Sequence, residues 1–453
     1  MHITTGKAWV FLIFAAALTA PAGAAPATLT LDDAVKAAAQ NNLALQRTAW
    51  DLDAKARQND KAWNVFLPSA SASAALSRSN PATNSITGAS VPGSVNAQGA
   101  LSLSLRITGN VFASLEAVAL NYRSGLVTYD LARKGLEKNV RTLYYSLLLE
   151  EENLKITQDS LDRAAKNLAK VQASYKAGLV PDLDVLTAQV TLEQLKPQLQ
   201  QLQSSHLNNL GQLKVLLGLP LDQDIVLVGT LGAAVESHLN LTGAQADLQV
   251  SPDVQKAQLN VDAQELNKKS LDLNSWIPTL SLGWSASPTN VDLFQDIYNG
   301  SSAQYPKAKN GWQDNGTLSL SLSYSFDSII PWTQGRETIL QAEDSVRKAH
   351  SQLEETRVNS DLTRQNLVRS IDQALQSLVS LDLAVQLAQK TYDLSLDSYS
   401  RGGKDLLAVQ SAEGDLNSAK YKILAQRFTL LSDVLSLEYE LNVPFGTLMG
   451  GKS

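Results

Sequence analysis

Histidine, the side chain from which metal and acid–base sites are most often built, occurs four times in this 453-residue chain. Beyond residue 24 only His206, His238 and His350 remain, and no two have the spacing of a His-x-x-x-His metal motif. None has a paired acid and serine nearby in the sequence, and no glycine-rich phosphate loop of the Walker type occurs. The sequence therefore predicts no enzyme activity, no metal and no cofactor, so that any energy source must lie in another protein.

The composition gives 38 basic and 44 acidic residues, a net charge of −6 and no cysteine. A mildly acidic chain without a basic stripe is poorly suited to neutralise phosphates, which argues against nucleic acid as a partner. Without cysteine no disulfide can form, and the chain must be held by its hydrophobic core, for which it is long enough.

Residues 1–24 form a predicted signal peptide. Lys7 gives a basic start, Trp9–Leu18 is a short apolar core, and Ala22–Ala24 satisfies the small-residue rule for cleavage. A membrane anchor is the alternative, but the apolar run is short for a bilayer and ends at Pro21. No later apolar run is long enough for a transmembrane helix, so we expect an exported chain.

The remaining chain contains an internal repeat. Five motifs of the first half recur in the second, the first three of them at one constant offset. The pairs are Tyr175–Gly178 with Tyr399–Gly402, Leu183–Gln189 with Leu407–Glu413, Leu216–Pro220 with Glu440–Pro444, Phe66–Pro68 with Trp276–Pro278, and Gly99–Leu105 with Gly316–Leu322. So long a period indicates two copies of a sizeable module rather than a solenoid. We assign the copies to residues 25–235 and 236–453.

Each copy contains two segments in which apolar and small polar residues alternate, which is the pattern of a β-strand. The segments are Ser69–Leu76, Leu101–Ile107, Leu280–Ala286 and Leu318–Phe326. They predict β-hairpins at about residues 67–108 and 277–327. The connecting loops, roughly 79–98 and 288–315, are rich in Pro, Gly, Ser and Asn.

Helical patterns precede and follow each hairpin. The predicted helices are 29–42, 45–65 and 252–275 before the hairpins, and long helix pairs at about 115–217 and 338–441 after them. Gly178, Gly402 and Gly403 mark the turns inside the pairs, and Pro197 is expected to kink or loosen the first returning helix. Helices of this length cannot bury an apolar stripe within one chain and must lie against neighbours.

The four strands have features of membrane-crossing segments. One face carries Leu, Ala and aromatic side chains and the other almost only Ser and Gly, and each strand is long enough to cross a bilayer at a tilt. Aromatic residues at the strand ends form a predicted interfacial belt of Trp63, Phe66, Trp276, Phe326 and Trp332. A soluble sheet packed on a helix is the alternative.

Four strands cannot close a membrane barrel alone, because unpaired backbone groups in lipid are costly and the smallest single-chain barrels use eight strands. Other copies of the chain must then complete the barrel. Two copies would give a narrow barrel filled by side chains, whereas three would give twelve strands and a wider lumen that suits the serine face. We therefore predict a homotrimer with a strand barrel and a helical tube. An elongated soluble coiled-coil protein is the alternative.

The order and duplication of these motifs resemble the TolC-type outer-membrane factor family. The matching segments are Leu29–Val35, Phe66–Pro68, Trp276–Pro278 and the Gly-x-x-x-x-Leu-x-Val segments that begin at Gly178 and Gly402, and the similarity covers nearly all of residues 28–445. The resemblance implies a mainly α fold with a small β part. Long antiparallel coiled coils would form a periplasmic α-barrel, and each protomer would give four transmembrane strands to a trimeric, twelve-stranded barrel in outer-membrane lipid. Such ducts dock a periplasmic adaptor and an inner-membrane transporter that is proton-driven or of the ABC type.

The resemblance also assigns a lock at the helix turns, which form the periplasmic entrance in this family. Asp184, Tyr399 and Lys404 match the family's acidic, tyrosine and basic lock residues. An acid, a phenol and a cation can form charge-assisted hydrogen bonds across adjacent turns. Exposed bonds of this kind are worth about 0–1 kcal/mol each, which suits a gate that must open.

One departure concerns ion selectivity at this entrance. The family's acidic ring positions in the second copy match Ala408 and Ser411 here, with Asp405 close by as a partial substitute. We therefore expect an entrance that is less selective for cations.

The function that the resemblance implies is an outer-membrane channel that conducts small molecules and drugs to the exterior within a tripartite efflux system. Type I protein secretion through the same duct is the alternative use. An exported, non-conducting coiled-coil scaffold is the alternative of another class, and the strands discriminate between the two because only the channel needs them in a membrane.

Overall fold

The computed structural model describes residues 27–80, 82–83, 90–91, 94–232, 251–290 and 316–449. The predicted signal peptide, His238 and most of the second hairpin loop lie outside these residues. Seven α-helices occur in the described part: α1 (Leu31–Asn41), α2 (Leu43–Asp60), α3 (Val111–Lys176), α4 (Asp182–Leu217), α5 (Pro252–Trp276), α6 (Gln334–Ser400) and α7 (Leu406–Glu440). A short 3-10 helix spans Ala62–Phe66.

Nine short or medium strands accompany these helices in the described part. They are β1 (Ala27–Leu29), β2 (Ser69–Ser79), β3 (Ala82–Thr83), β4 (Ser90–Val91), β5 (Ser94–Ile107), β6 (Ile225–Leu227), β7 (Thr279–Ala286), β8 (Thr289–Asn290) and β9 (Thr317–Ser323). The chain divides into two compact units. The first contains 27–42, 139–232 and 374–432, and the second contains 43–138, 251–373 and 433–449.

The long helices α3 and α6 have 66 and 67 residues and begin slightly before the predicted positions 115 and 338. The earlier start of α6 follows from capping by residues that precede the apolar stripe. The Thr333 hydroxyl accepts from the backbone N–H of Arg336 at 3.4 Å, and the Asp327 carboxylate accepts from the N–H of Gly335 at 2.8 Å. Such caps satisfy the free amides of a first turn.

The predicted turn glycines end α3 and α6 in the first unit. Gly178 and Gly402 have φ angles of 73° and 78°, in the left-handed region that a side chain disfavours. The following amides close the helix ends, because Leu179 N–H donates to Ser174 O and Gly403 N–H donates to Ser398 O, each at 2.9 Å. These are the bonds of a Schellman-type C-cap.

The core of the first unit surrounds Tyr144 of α3, which is almost fully buried. Strands β1 and β6 pair in parallel, and the Tyr144 hydroxyl lies 2.8 Å from the carbonyl oxygens of both Leu29 and Val228. It also accepts from the N–H of Val228 at 3.0 Å. The Tyr144 phenol therefore holds the C-terminal ends of both short strands. Other buried residues of this unit are aliphatic: Val140, Leu147, Leu213, Leu217, Leu430 and Leu431.

The second unit contains an antiparallel sheet of order β2-β5-β7-β9, in which the two-residue strand β8 also pairs with β5. Its register aligns Ala70, Leu103, Trp284 and Leu318 in one row across the strands. The adjacent row is Ser71, Ser102, Ser285 and Thr317. Because side chains alternate between the faces of a strand, the sheet has one mainly apolar face and one face rich in serine.

We call these faces the serine face and the apolar face. The serine face comprises the odd positions of 69–77 and 279–285, the even positions of 96–106, and the odd positions of 317–323. The apolar face comprises the alternate positions. Strand β9 ends at Ser323, three residues before the predicted end at Phe326. A turn follows, in which Ile329 N–H donates to Phe326 O at 3.0 Å.

Strands β2 and β9 are the edges of this sheet. Among the described residues β2 pairs with β5 alone, and β9 pairs with β7 alone. Each edge thus presents backbone N–H and C=O groups without a strand partner in the described part of the chain. Within the same part, no helix combines the length and the apolar character needed to cross a membrane.

Candidate functional site

The serine face forms a continuous hydroxyl-bearing surface. Ser69 and Ser104 face each other with their Oγ atoms 2.8 Å apart, and the Oγ atoms of Ser71 and Ser102 are 2.6 Å apart. Ser319 Oγ donates to the carbonyl of Gly283 at 3.4 Å. Short hydroxyl side chains that bond one another keep close to the sheet, and they present neutral, water-compatible groups. This surface can line an aqueous passage.

The apolar face is exposed in the described part of the chain. Leu318, Leu320 and Leu322 of the edge strand β9 are 73, 71 and 69% exposed, and Leu101, Leu282 and Trp284 on the inner strands are also exposed. A contiguous apolar surface on a sheet marks contact with another protein or with lipid. The opposite face of the same strands is polar, so the two faces of the sheet suit different environments.

The five predicted belt aromatics are all exposed, from 40% for Phe66 to 86% for Trp332. One further exposed aromatic residue near this belt was not predicted. The exposed ring of Phe112, in the first turn of α3, lies 6.5 Å from the ring of Phe66. Phe112 belongs to no strand pattern, and only the early start of α3 places it beside the belt residue.

The predicted lock residues lie in the first unit, at the turns between α3 and α4 and between α6 and α7. Tyr399 packs against a cluster that includes Val171, Ala188 and Leu406. Burial raises the pKa of the Tyr399 phenol, and the charge of Asp184 raises this pKa further. The predicted tyrosine, on one turn, is therefore within electrostatic reach of the predicted acid on the other turn.

The other two predicted tip residues have local partners. Lys404 Nζ donates to the hydroxyl of Ser395 at 3.1 Å, and Asp405 Oδ1 accepts from the N–H of Ala408 at 2.9 Å. Asp405 thus caps the N-terminus of α7, where a carboxylate is favourable. No ion pair joins Asp184 to Lys404 in the described part of this single chain.

A polar network between α3 and α7 was not predicted. Arg163 Nε donates to Glu413 Oε1 at 2.6 Å, and its Nη2 lies 3.0 Å from Ser160 Oγ and 3.3 Å from Asn417 Oδ1. Asn417 Nδ2 in turn donates to Ser160 Oγ at 2.9 Å. The sequence contained one local sign of this network: Glu413 ends a repeated motif, and the matching residue of the first motif is the neutral Gln189.

The two histidines in the described part of the chain, His206 and His350, lie next to glutamates. His206 Nδ1 lies 3.3 Å from Glu150, and its Nε2 lies 3.9 Å from Glu151, whose pKa is raised by burial and lowered in part by His206. His350 Nε2 lies 3.0 Å from Glu265. Within the described ranges, no group of three or more His, Cys, Asp or Glu side chains could hold a metal ion.

This combination of a two-faced strand sheet with long paired helices is the fold of outer-membrane channels. The outer membrane channel CmeC of Campylobacter jejuni has a TM-score of 0.69 to this chain at 16% identity, over 91% of this chain and 85% of its own. CusC gives the same TM-score and identity, over 91% of this chain and 92% of its own. These likenesses confirm the mainly helical fold with its small β part.

Residues 34–219 match the model of the family described as "Outer membrane efflux protein". The outer membrane protein TolC of Escherichia coli is 24% identical over 420 residues, which cover 88% of this chain and 80% of its own. The probable efflux pump outer membrane protein TtgC of Pseudomonas putida is 23% identical over 415 residues, 90% of this chain and 81% of its own. The chain is thus similar to the TolC-type outer-membrane factor family, as its motifs predicted.

Proposed function

We propose that this chain is the outer-membrane exit duct of a tripartite efflux system, and that it passively conducts small molecules and drugs from the periplasm or an inner-membrane pump to the exterior. The sheet carries the proposal: one of its faces is mainly apolar and exposed, the other is rich in serine, and both of its edges lack a strand partner in the described chain. The apolar face meets lipid, and the serine face lines the passage.

The sheet must be shared between protomers in this role. Four strands leave two open edges, and open edges are not tolerated in lipid. Three chains that pair β2 of one protomer with β9 of the next give a closed, twelve-stranded barrel. The diameter of such a barrel leaves room for a water-filled lumen.

The long helices have the complementary role in the periplasm. In a trimer they form an α-barrel whose apolar stripes pack between neighbouring chains. Their outer surface docks a periplasmic adaptor, which connects the duct to an inner-membrane transporter that is proton-driven or of the ABC type. The duct catalyses no reaction itself.

The gate of this duct lies at the two helix turns. Asp184, Tyr399 and Lys404 hold the entrance closed, Asp405 fixes the start of α7, and Gly178, Gly402 and Gly403 allow the tight turns. The electrostatic interaction of Tyr399 with Asp184 supports this assignment. The matching element order of the two halves supports a duplicated module with copies at 25–235 and 236–453, each containing a hairpin and a long helix pair.

Purification in detergent followed by mass and conductance measurements tests the proposal. We expect a trimeric mass, heat-modifiable migration on a gel, and ion current in planar bilayers. A chain extracted by lipid-free buffer as a monodisperse single copy, without current, would contradict the proposal and would favour the non-conducting scaffold.

A further inference from the structure

Arg106 is the charged residue of the serine face as the structure describes it. Strand register places Arg106 on this face, directly opposite Ser281 of β7 and two positions after Ser104. The other described positions of the face carry Ser, Thr, Ala, Gly, Asn or Gln. One cation therefore stands on a surface that is otherwise neutral.

The charge of Arg106 is not compensated within the described part of the chain. Its side chain is exposed, and no carboxylate of the described residues forms an ion pair with it. Its neighbours on the face, Ser104 and Ser281, are too short to cover a guanidinium. Arginine stays protonated at any physiological pH, so the positive charge is permanent.

The position of Arg106 along the strand is also defined. It is the penultimate residue of β5, and α3 begins shortly afterwards at Val111. The charge therefore lies at the end of the sheet that adjoins the helix. The second arginine of the sheet, Arg78, lies on the apolar face and pairs with Val95 near the other end of the strands.

We propose that Arg106 forms a ring of three positive charges in the lumen and makes the duct prefer anionic and neutral solutes over cations. The inference rests on the proposed trimeric barrel, in which symmetry places all three copies at one depth. Rings of arginine or lysine select anions in pores. A lumen with low-dielectric walls focuses the field of such charges, and the screening length of about 8 Å at physiological salt lets the field reach well into the passage.

The two faces of the sheet provide a matched test. Reversal potentials of wild-type, Arg106→Gln and Arg78→Gln channels are measured in planar bilayers across a potassium chloride gradient. We expect the chloride-to-potassium permeability ratio to fall by about twofold or more in Arg106→Gln and to stay unchanged in Arg78→Gln. Arg106→Lys retains the positive charge and should therefore keep the wild-type permeability ratio.

A second variant tests the ring without replacing Arg106. Ser281→Glu introduces a carboxylate directly opposite the guanidinium and should lower the ratio in the same direction. Channels that conduct with an unchanged ratio in both Arg106→Gln and Ser281→Glu would overturn the ring while leaving the duct intact. Equal effects of Arg106→Gln and Arg78→Gln would also overturn it, because only one face can line the lumen. Absence of any current in the wild type would instead contradict the proposed function.

Discussion

The guanidinium of Arg163 and the carboxylate of Glu413 meet at 2.6 Å although the residues are 250 positions apart in the chain. This pair joins the last part of α3 to the first part of α7, with side chains only 32 and 19% exposed. Partial burial weakens solvent screening, so the pair is expected to contribute more than a surface ion pair.

The first prediction concerns this pair. A double-mutant cycle with Arg163→Gln and Glu413→Gln should give a coupling free energy of about 1 kcal/mol, because Ser160 and Asn417 hold the guanidinium in place. The unfolding of each variant in detergent provides the free energies. The exposed pair Lys196 and Glu193 is the control, and its cycle should give close to zero. Equal couplings in the two cycles would contradict the prediction.

The second prediction concerns the lock. Asp184→Ala combined with Lys404→Ala should enlarge the single-channel conductance, and Tyr399→Phe should act in the same direction because it keeps the packing but removes the hydroxyl. Planar-bilayer recordings measure the effect. Asp182→Ala, an acid of the same first turn of α4, is the matched control. An unchanged current in the double variant would refute the lock assignment.

The third prediction concerns the pH dependence of stability through Glu440 in the second unit. Burial raises the pKa of Glu440, the charge of Asp253 raises it further, and the hydrogen bond from Ser360 lowers it. A carboxyl with a raised folded-state pKa contributes its full stability below the unfolded value of about 4.5 and loses it as the pH rises through the folded value. The ionised side chain is therefore unfavourable at neutral pH.

Glu440→Gln should accordingly raise the melting temperature by about 1 °C or more at pH 7 and leave it nearly unchanged at pH 4. Thermal unfolding at the two pH values provides the comparison. The exposed Glu354, paired on its own helix with Arg357, is the control, and Glu354→Gln should show no gain at pH 7. A gain for Glu440→Gln that is equal at both pH values would argue against the raised pKa.

The fourth prediction separates the faces of the sheet with neighbouring residues. Leu320→Arg places a charge on the apolar face, where it should cost about 2–4 kcal/mol if that position lies near the middle of the bilayer. Ser319→Arg places the same side chain on the serine face, where water can solvate it. We expect Leu320→Arg to abolish heat-modifiable trimer in the outer-membrane fraction and Ser319→Arg to retain it. The reverse order would show that the faces are wrongly assigned.

The fifth prediction compares two glycines of the first unit with similar backbone conformations. Gly178 and Gly218 have φ angles of 73° and 67°. A Cβ at Gly178 would meet nothing within 4 Å, whereas one at Gly218 would lie 2.6 Å from the carbonyl oxygen of Asn41. Gly178→Ala should therefore cost only the backbone strain of about 1 kcal/mol. Gly218→Ala should cost clearly more, and thermal unfolding of both variants measures the difference.

The sequence predicted the strands and turns because their signals are local. A strict alternation of Leu and Ser in Leu318–Leu322 admits only one arrangement of faces, and Gly402 is followed by a second glycine at the end of an unbroken helical pattern. The mainly helical fold could thus be inferred from the helical periodicity and from the glycine turns that divide each long helical region into a pair of helices.

The remaining features depend on contacts between distant segments. Arg163 and Glu413 are 250 positions apart. Tyr144 bonds to Leu29, the last residue of β1, and to Val228, the residue after β6, and neither short strand has an alternating pattern. The early start of α6 depends on Asp327, whose cap bond reaches eight residues along the chain. Such pairings are decided by tertiary packing, which leaves no periodic trace in a single sequence.

The open edges at β2 and β9 also carry a genetic implication. In the proposed barrel every seam joins β2 of one chain to β9 of another, so each finished pore needs an intact contribution from all of its members. The product of a mutant allele that prevents strand pairing at one edge but leaves the helices folded would still enter mixed assemblies and inactivate them. Such alleles should therefore be dominant over the wild type, in contrast to alleles whose product never folds.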